Sequence, residues 1–472
     1  MEPTRIKLGY CPTRRDVFSR EAAIGFSKTI RDSIAGEGIE TVDLAGINGE
    51  GLLFQDSDLE PVIERFRQAR VDALFFPHCN FGTEGLVAQV AAALRLPVLL
   101  WGPRDEGPDE GGFRQRDSQC GLFATGKALR RMNVPFTYLT NSWAGGEEFM
   151  AGFRRFVAVA TVVKAVRGLR ILEISTRPQS FWSVMVNEGE LLERFGIQVV
   201  PITLTDLVRE MDAVQAERGA EYLQAAAFIG GTVSSQSPAG PVERMAALKV
   251  AMKRLANANG CRAVAIQCWN SLQDMTGIMP CLANALLADE GLPVACETDI
   301  HGAVTAVMVQ AAARNARPHF FADVTIRHPQ QDNVELLWHC GPFPYSLAKD
   351  KATARAGEHW VLPSRAYGTC EWEIEGGDIT VARFDGDHGN YSLLIGEAVG
   401  ADGPRTGGTY LWVRVKNWPL WEHKIVKGPY IHHVVGIHGK YGEILMEACR
   451  YMNGLTPDPV EPTLAELEQR WY

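Results

Sequence analysis

Short apolar runs alternate with amphipathic stretches through the first two thirds of the chain, and few folds tolerate that alternation. RIKLGYCP, VDALFFPHC and LPVLLW read as strands, REAAIGFSKTIRDSIAGEG as a helix closed by glycine, and GLVAQVAAALR as another helix. Strand, helix, strand in this rhythm builds a doubly wound parallel sheet with helices on its faces. The rhythm restarts after FMAGFRRFVAVATVVKAVRG. There LRILEIS, IQVVPI, YLQAAAFIGG, CRAVAIQCW, PVACETD and HFFADV read as strands, with PVERMAALKVAMKRLANANG as a helix between them. From about residue 335 the pattern changes to short runs with turn signals, as in EWEIEGGDITVARFDGDHGNYSLLIGEAVG, which reads as antiparallel β structure. A helix, GKYGEILMEACRYMNG, precedes a polar tail. The expectation is an α/β chain of three domains: Rossmann-like over 1–160, a second doubly wound α/β domain over 161–334, and a β-rich domain over 335–472.

Composition narrows the function. A chain of 472 residues exceeds one core, and 46% hydrophobic with 22% charged residues is ordinary for a globular enzyme. The net charge of -9 is spread out, and no basic block argues for nucleic acid or an anionic membrane. The start, MEPTRIKLGYCPTRRD, has no apolar signal core and no apolar stretch is long enough to cross a bilayer, so a cytoplasmic protein is expected. Ten cysteines without a close CxxC pair suit reduced thiols. No GxGxxG follows the first strand and no GxxxxGK[ST] occurs, so the layer order implies no nucleotide cofactor.

Three segments end in metal-ligating residues: Glu297 after PVAC, Asp323 after HFFA, and His432 with His433 in GPYIHHVVG. The reading places both acids at carboxyl ends of neighbouring strands, where α/β sheets form their ligand crevice. Hard oxygens plus imidazole suit Mn²⁺, Mg²⁺ or a related ion better than a thiolate-bound zinc. A lone acid at a strand end more often caps the next helix, so the combination carries the argument. His339, beside Cys340, reads either as a hydrogen-bonded core histidine or as a ligand. Gln267 and Trp269 suit a sugar, since an amide binds hydroxyls and a ring face covers C–H surface, although tryptophan is also core material. His301, just after Asp299, reads as structural or as a pocket wall. Arg14 and Arg15 read as solvated.

Four segments in order, CETDIHGAVTAVMVQ, FFADV, LLWHCG and IHHVVGIHG, resemble the L-fucose isomerase and L-arabinose isomerase superfamily, and SQCGLF with LPVLLW fits its first domain. The resemblance implies two Rossmann-like domains plus a β-rich third, assembled as trimers or hexamers with active sites between subunits. It implies that Glu297 and Asp323 bind a divalent metal, Mn²⁺ foremost, and also shuttle protons. The IHH segment would supply a histidine ligand, His433 in preference to His432, and His339 falls where the arabinose branch has another. Loops CPTRRDVF, with Arg14 and Arg15, and PHCNFG, with His78 and Asn80, would reach a neighbouring subunit's site.

Such an enzyme isomerises an aldose to a ketose through an enediol, and charge developing on O1 and O2 explains both the metal and the paired acids. Two departures widen the substrate beyond L-fucose and D-arabinose: the chain is shorter than the classical members, and His301 stands where the family has tyrosine. Shorter branches act on other aldoses, including 6-deoxy and 6-sulfonated sugars such as sulfoquinovose. A sulfonate would need donors, for which Arg14, Arg15, Arg177 and His301 are candidates. The alternatives are a metal-dependent sugar lyase or aldolase, and a non-catalytic sugar-binding protein.

Overall fold

Five short strands, β1 (Lys7–Tyr10), β2 (Glu40–Val42), β3 (Ala73–Pro77), β4 (Val98–Trp101) and β5 (Thr137–Leu139), pair in parallel in the order β2-β1-β3-β4-β5. The amphipathic segments between them are helices for local reasons. Arg20–Ile34, for example, starts where the Ser19 side chain accepts the Ala22 amide, and it buries Ala23, Ile30 and Ile34 along one stripe. The computed structural model describes residues 5–233, 239–359 and 365–471. Its contacts form two units, residues 4–164 with 468–472, and residues 165–467. No described helix is long and apolar enough to cross a membrane.

The second unit contains two sheets. Strands β6 (Arg170–Ile174), β7 (Gln198–Ile202), β8 (Ala263–Ile266) and β9 (Val294–Ala295) form a parallel sheet in the order β7-β6-β8-β9. The helix Ile300–Ala312 follows β9. It is apolar on nearly every face and buried along its whole length, as such a helix must be.

The other sheet has nine strands: β10 (His319–His328), β11 (Gln331–His339), β12 (Arg355–Glu358), β13 (Tyr367–Glu373), β14 (Asp378–Asp387), β15 (Asn390–Ala401), β16 (Thr409–Arg414), β17 (His433–His438) and β18 (Leu455–Glu461). Their order is β12-β13-β16-β11-β10-β17-β14-β15-β18, and an extra β15–β16 pairing closes six of them on themselves. The architecture is thus α/β with a large β-rich C-terminal part. The expected division at residue 334 falls inside β11 of the nine-stranded sheet, and Leu172, Val264 and Val294 from the parallel sheet share a core with Phe320, Leu337 and Val434 from the nine-stranded one.

Three readings are corrected. HFFADV does not belong to the parallel sheet: it opens β10, a ten-residue strand joined to β11 through a tight turn at Pro329–Gln330, and a hairpin connection dictates antiparallel pairing. YLQAAAFIGG is the helix Ala220–Phe228 running into a π turn, Ile229–Val233. Buried Tyr222, Ala225, Ile229 and Val233 recur at helical spacing, and alanine outweighs the single β-branched residue. The polar tail is strand β18 and the helix Leu464–Trp471, which starts from a capping box in TLAE: Glu466 accepts the Thr463 amide at 2.7 Å and Thr463 accepts that of Glu466 at 3.3 Å.

Candidate metal centre

Glu297 lies in the turn between β9 and the helix Ile300–Ala312. Its φ is 54° and that of Thr298 is 57°, two successive left-handed residues of which one is β-branched. Conformations of this kind cost of order 1–3 kcal/mol each and persist where the surroundings fix them. Here they are fixed by hydrogen bonds. Oε1 of Glu297 accepts Trp269 Nε1 at 3.1 Å and the Cys268 thiol at 3.2 Å. Asp299 caps the helix by accepting the Gly302 amide at 2.9 Å. Burial pushes the Cys268 thiol up to about 11, so it donates a proton. Cys268, Cys296 and Glu297 also stand close enough to share an ion, but soft thiols suit a hard divalent cation less well than oxygen and imidazole donors do.

Asp323 comes from the other sheet. It sits mid-strand in β10, directly opposite His433 in β17, which makes the two a cross-strand pair. Its Oδ1 is 3.5 Å from His433 Nε2, 3.9 Å from His339 Nε2 and 3.9 Å from His432 Nε2. Oε2 of Glu297 is 3.6 Å from His339 Nε2 and 4.0 Å from His433 Nε2. None of these separations is a good hydrogen bond. Glu297 Oε2, Asp323 Oδ1 and His339 Nε2 are buried without a hydrogen-bond partner. Orphaned buried oxygens facing imidazole nitrogens across 3.5–4.0 Å fit a divalent cation between them, since burying such atoms unpaired is costly.

The histidines present different faces. Nδ1 of His433 bonds Asp299 Oδ2 at 3.0 Å, which holds the ring proton there and turns the Nε2 lone pair inward. His339 Nδ1 accepts the Cys340 amide at 2.9 Å, an arrangement that leaves the proton on Nε2. His433 is buried, whereas the His432 side chain is 54% exposed. Burial works against charge on Glu297, but His339 and His433, whose protonated forms the two acids favour, outweigh it and bring the carboxyl down to about 2; a cation between them would take the place of the His433 Nε2 proton. Asp323 moves the other way, raised by burial despite the same rings.

The remaining candidates are dispersed. Trp269 orients Glu297 and packs edge-on against Phe181. Gln267 accepts Ser175 Oγ at 3.0 Å. His301 is buried against Phe384 and bonds Asp385 at 2.8 Å through Nδ1. Arg177 donates to the carbonyls of Pro178 and Gln179 in its own loop, both at 3.2 Å. In the first unit Arg14 is not solvated: it is buried between Glu50 and Asp16 and lies over Phe54. Arg15 lies over Phe81 and reaches Glu84, and Asn80 Oδ1 accepts the Arg15 amide at 2.7 Å. Sequence reasoning missed Asp299, Arg383 and Asp385 as supports of the centre. The signal was Arg and Asp two apart within the strand TVARFDGD, where alternation turns both to one side.

Residues 9–167 match the family model for the fucose/sulfoquinovose isomerase N-terminal domain, and residues 337–455 match the L-fucose isomerase C-terminal domain. A sulfoquinovose isomerase of Alkalicoccus urumqiensis is 28% identical over 349 residues, 73% of this chain and 76% of that protein. One of Priestia aryabhattai is 23% identical over 449 residues, 94% of this chain and 97% of that protein. A periplasmic solute-binding protein of Actinobacillus succinogenes with bound D-allose aligns over 66% of the chain at a TM-score of 0.17, too low to carry an argument. With two family models in order along its length and a relative aligned nearly end to end, the chain belongs to the fucose isomerase-like family and is a sugar isomerase that interconverts an aldose and a ketose.

Proposed function

We propose that the chain isomerises a 6-sulfonated aldose, sulfoquinovose foremost, by enediol proton transfer at a divalent metal, Mn²⁺, held by Glu297, Asp323 and His433. The observation that carries the metal reading is the pair of orphaned buried oxygens, Glu297 Oε2 and Asp323 Oδ1, facing the inward lone pair of His433. The substrate follows the relatives named above. When bound, the cation supplies Lewis-acid stabilisation of the charge developing on O1 and O2 of the sugar. Asp323 is assigned the carbon-bound proton, because its side chain is 18% exposed against 5% for Glu297 and is the one a sugar reaches. Trp269 and Cys268 hold the Glu297 carboxylate in place by donating to its other oxygen.

The test is a panel of aldoses, including sulfoquinovose, L-fucose and D-arabinose, assayed for ketose formation and for C2 proton exchange on Mn²⁺-loaded protein. Ketose from sulfoquinovose with solvent exchange at C2 is the expected result. Cleavage products would make the protein a lyase or aldolase, and tight binding without turnover a sugar-binding protein.

The reading extends to a homo-oligomer, a trimer or hexamer, in which first-unit loops complete a neighbour's site, and to the cytoplasm, where ten free thiols would persist. Arg15 and Asn80 are the proposed contributors, with Arg14 bracing their loop. Mixed oligomers of an inactive Glu297→Gln chain and an inactive Arg15→Ala chain should regain activity. A monomer by light scattering, or no recovery, would reject shared sites.

A further inference from the structure

The Glu297 turn and the His433 strand are tied to one buried guanidinium. Arg383, in β14, is completely buried. Its Nη2 donates to Asp299 Oδ1 at 3.1 Å, its Nη1 to Asp299 Oδ2, and its Nε to Asp385 Oδ2 at 2.8 Å. Asp299 in turn accepts His433 Nδ1 and caps the helix that follows Glu297. Asp385 Oδ1 accepts His301 Nδ1 at 2.8 Å and the Gly386 amide at 2.9 Å. One cation and two carboxylates thus hold two imidazoles inside a buried cluster.

Such a cluster is expensive to bury, at several kcal/mol per ion, and apolar side chains would join the same elements without that cost. What they could not do is fix a tautomer. The Arg383–Asp299–His433 chain does so, keeping the proton on Nδ1 and the lone pair of Nε2 toward Glu297 and Asp323.

We propose that Arg383 is a positioning residue for the metal centre. Through Asp299 it sets the direction of the His433 ring and the place of the Glu297 turn two residues upstream. The inference rests on the reading of Glu297, Asp323 and His433 as the metal-holding residues. Lysine at 383 keeps the charge but is a single point donor, and it cannot span both carboxylates.

The test measures Mn²⁺ dissociation constants on metal-stripped wild type, Arg383→Lys and Asp299→Asn, by the electron paramagnetic resonance of free Mn²⁺, beside far-UV circular dichroism and Tm of the metal-free proteins. Both variants should bind Mn²⁺ 10- to 100-fold more weakly with wild-type dichroism, the usual loss when a ligand's outer partner is removed. A role confined to packing would lower Tm and leave the dissociation constant of the folded protein unchanged, and that result overturns the proposal. If Arg383→Lys does not fold, Asp299→Asn decides, because in this structure Arg383 reaches His433 through Asp299. Wild type that takes up no Mn²⁺ would overturn the metal reading itself, whereas equal binding by all three proteins would overturn only the role of Arg383.

Discussion

Polar residues gather beyond the strand ends of both parallel sheets, and the two gatherings differ in what their buried atoms do. After β1 and β3, Thr13 donates to the Leu53 carbonyl at 2.9 Å, Arg14 is clamped between Glu50 and Asp16, and Asn80 Oδ1 takes the amides of Arg15 and Gly82. His78 Nδ1 donates to the Phe81 carbonyl at 2.7 Å. The loop is packed so closely that a Cβ on Gly121 would stand 1.6 Å from the Phe81 oxygen. Apart from His78 Nε2, those polar groups satisfy one another. After β9, Glu297 instead meets Asp323 and His339 of the nine-stranded sheet, and the three leave one buried atom each unsatisfied, all facing one point. A strand-end position therefore marks no site by itself; buried valence left over does.

The largest expected effect is on turnover. Glu297→Gln and Asp323→Asn keep shape and remove charge, so kcat should fall 10²- to 10⁴-fold, the range for losing a positioned acid or base, with the far-UV spectrum intact. Either variant retaining wild-type kcat would put the two clusters on the same footing. The first-unit counterpart should fail in stability instead. Arg14→Met should cost about 3 kcal/mol, the low end for breaking a buried pair, because Arg20 remains on Glu50 at 2.5 Å. Its Tm should drop while the Mn²⁺ dissociation constant stays at the wild-type value. An unchanged Tm would show that the clamp is ornamental.

Metal should stabilise only the unit that has valence to spare. At a hundredfold excess over its dissociation constant Mn²⁺ should add about 2.7 kcal/mol, raising Tm by a few degrees in wild type and not in Glu297→Gln. Chelation should abolish turnover and Mn²⁺ restore it. A metal-free preparation, verified by elemental analysis, that remains fully active would sink the assignment.

How much of this the sequence discloses depends on the range of the interaction. The parallel strands and most helices are legible because apolar period and caps act within a dozen residues, as in REAAIGFSKTIRDSI after Ser19. Glu297 and Asp323 stand out as types and positions, but the route by which they meet does not. Asp323 reaches His433 through antiparallel register, and register is fixed by the β10–β11 hairpin and by β17 more than a hundred residues later. The Arg383 cluster is hidden for a related reason: a charge inside a strand reads as surface until three elements close over it.

The smallest effect concerns acid. Burial brings the His78 ring in the first unit and the His319 ring in the second down to about 4. A histidine whose folded pKa lies below its unfolded 6.5 is held neutral by the fold. Its contribution is therefore present above pH 6.5 and is lost as pH falls toward 4. The second unit also carries Glu173 and Glu335, raised to about 7 by burial. Their sign is opposite, with a contribution fully present below about 4.5 and lost as pH rises through 7. Moving from pH 7 to pH 5 thus returns stability to the second unit while His78 withdraws it from the first. For His78 the loss by pH 5 is about 2 kcal/mol. His78→Gln removes the titration, so whatever it costs at pH 7, its unfolding free energy relative to wild type should improve by that amount on going to pH 5, and its Tm should rise relative to wild type. A difference between the two proteins that does not vary with pH would show that His78 is not held neutral, and that the first cluster is less closed than its hydrogen bonds imply.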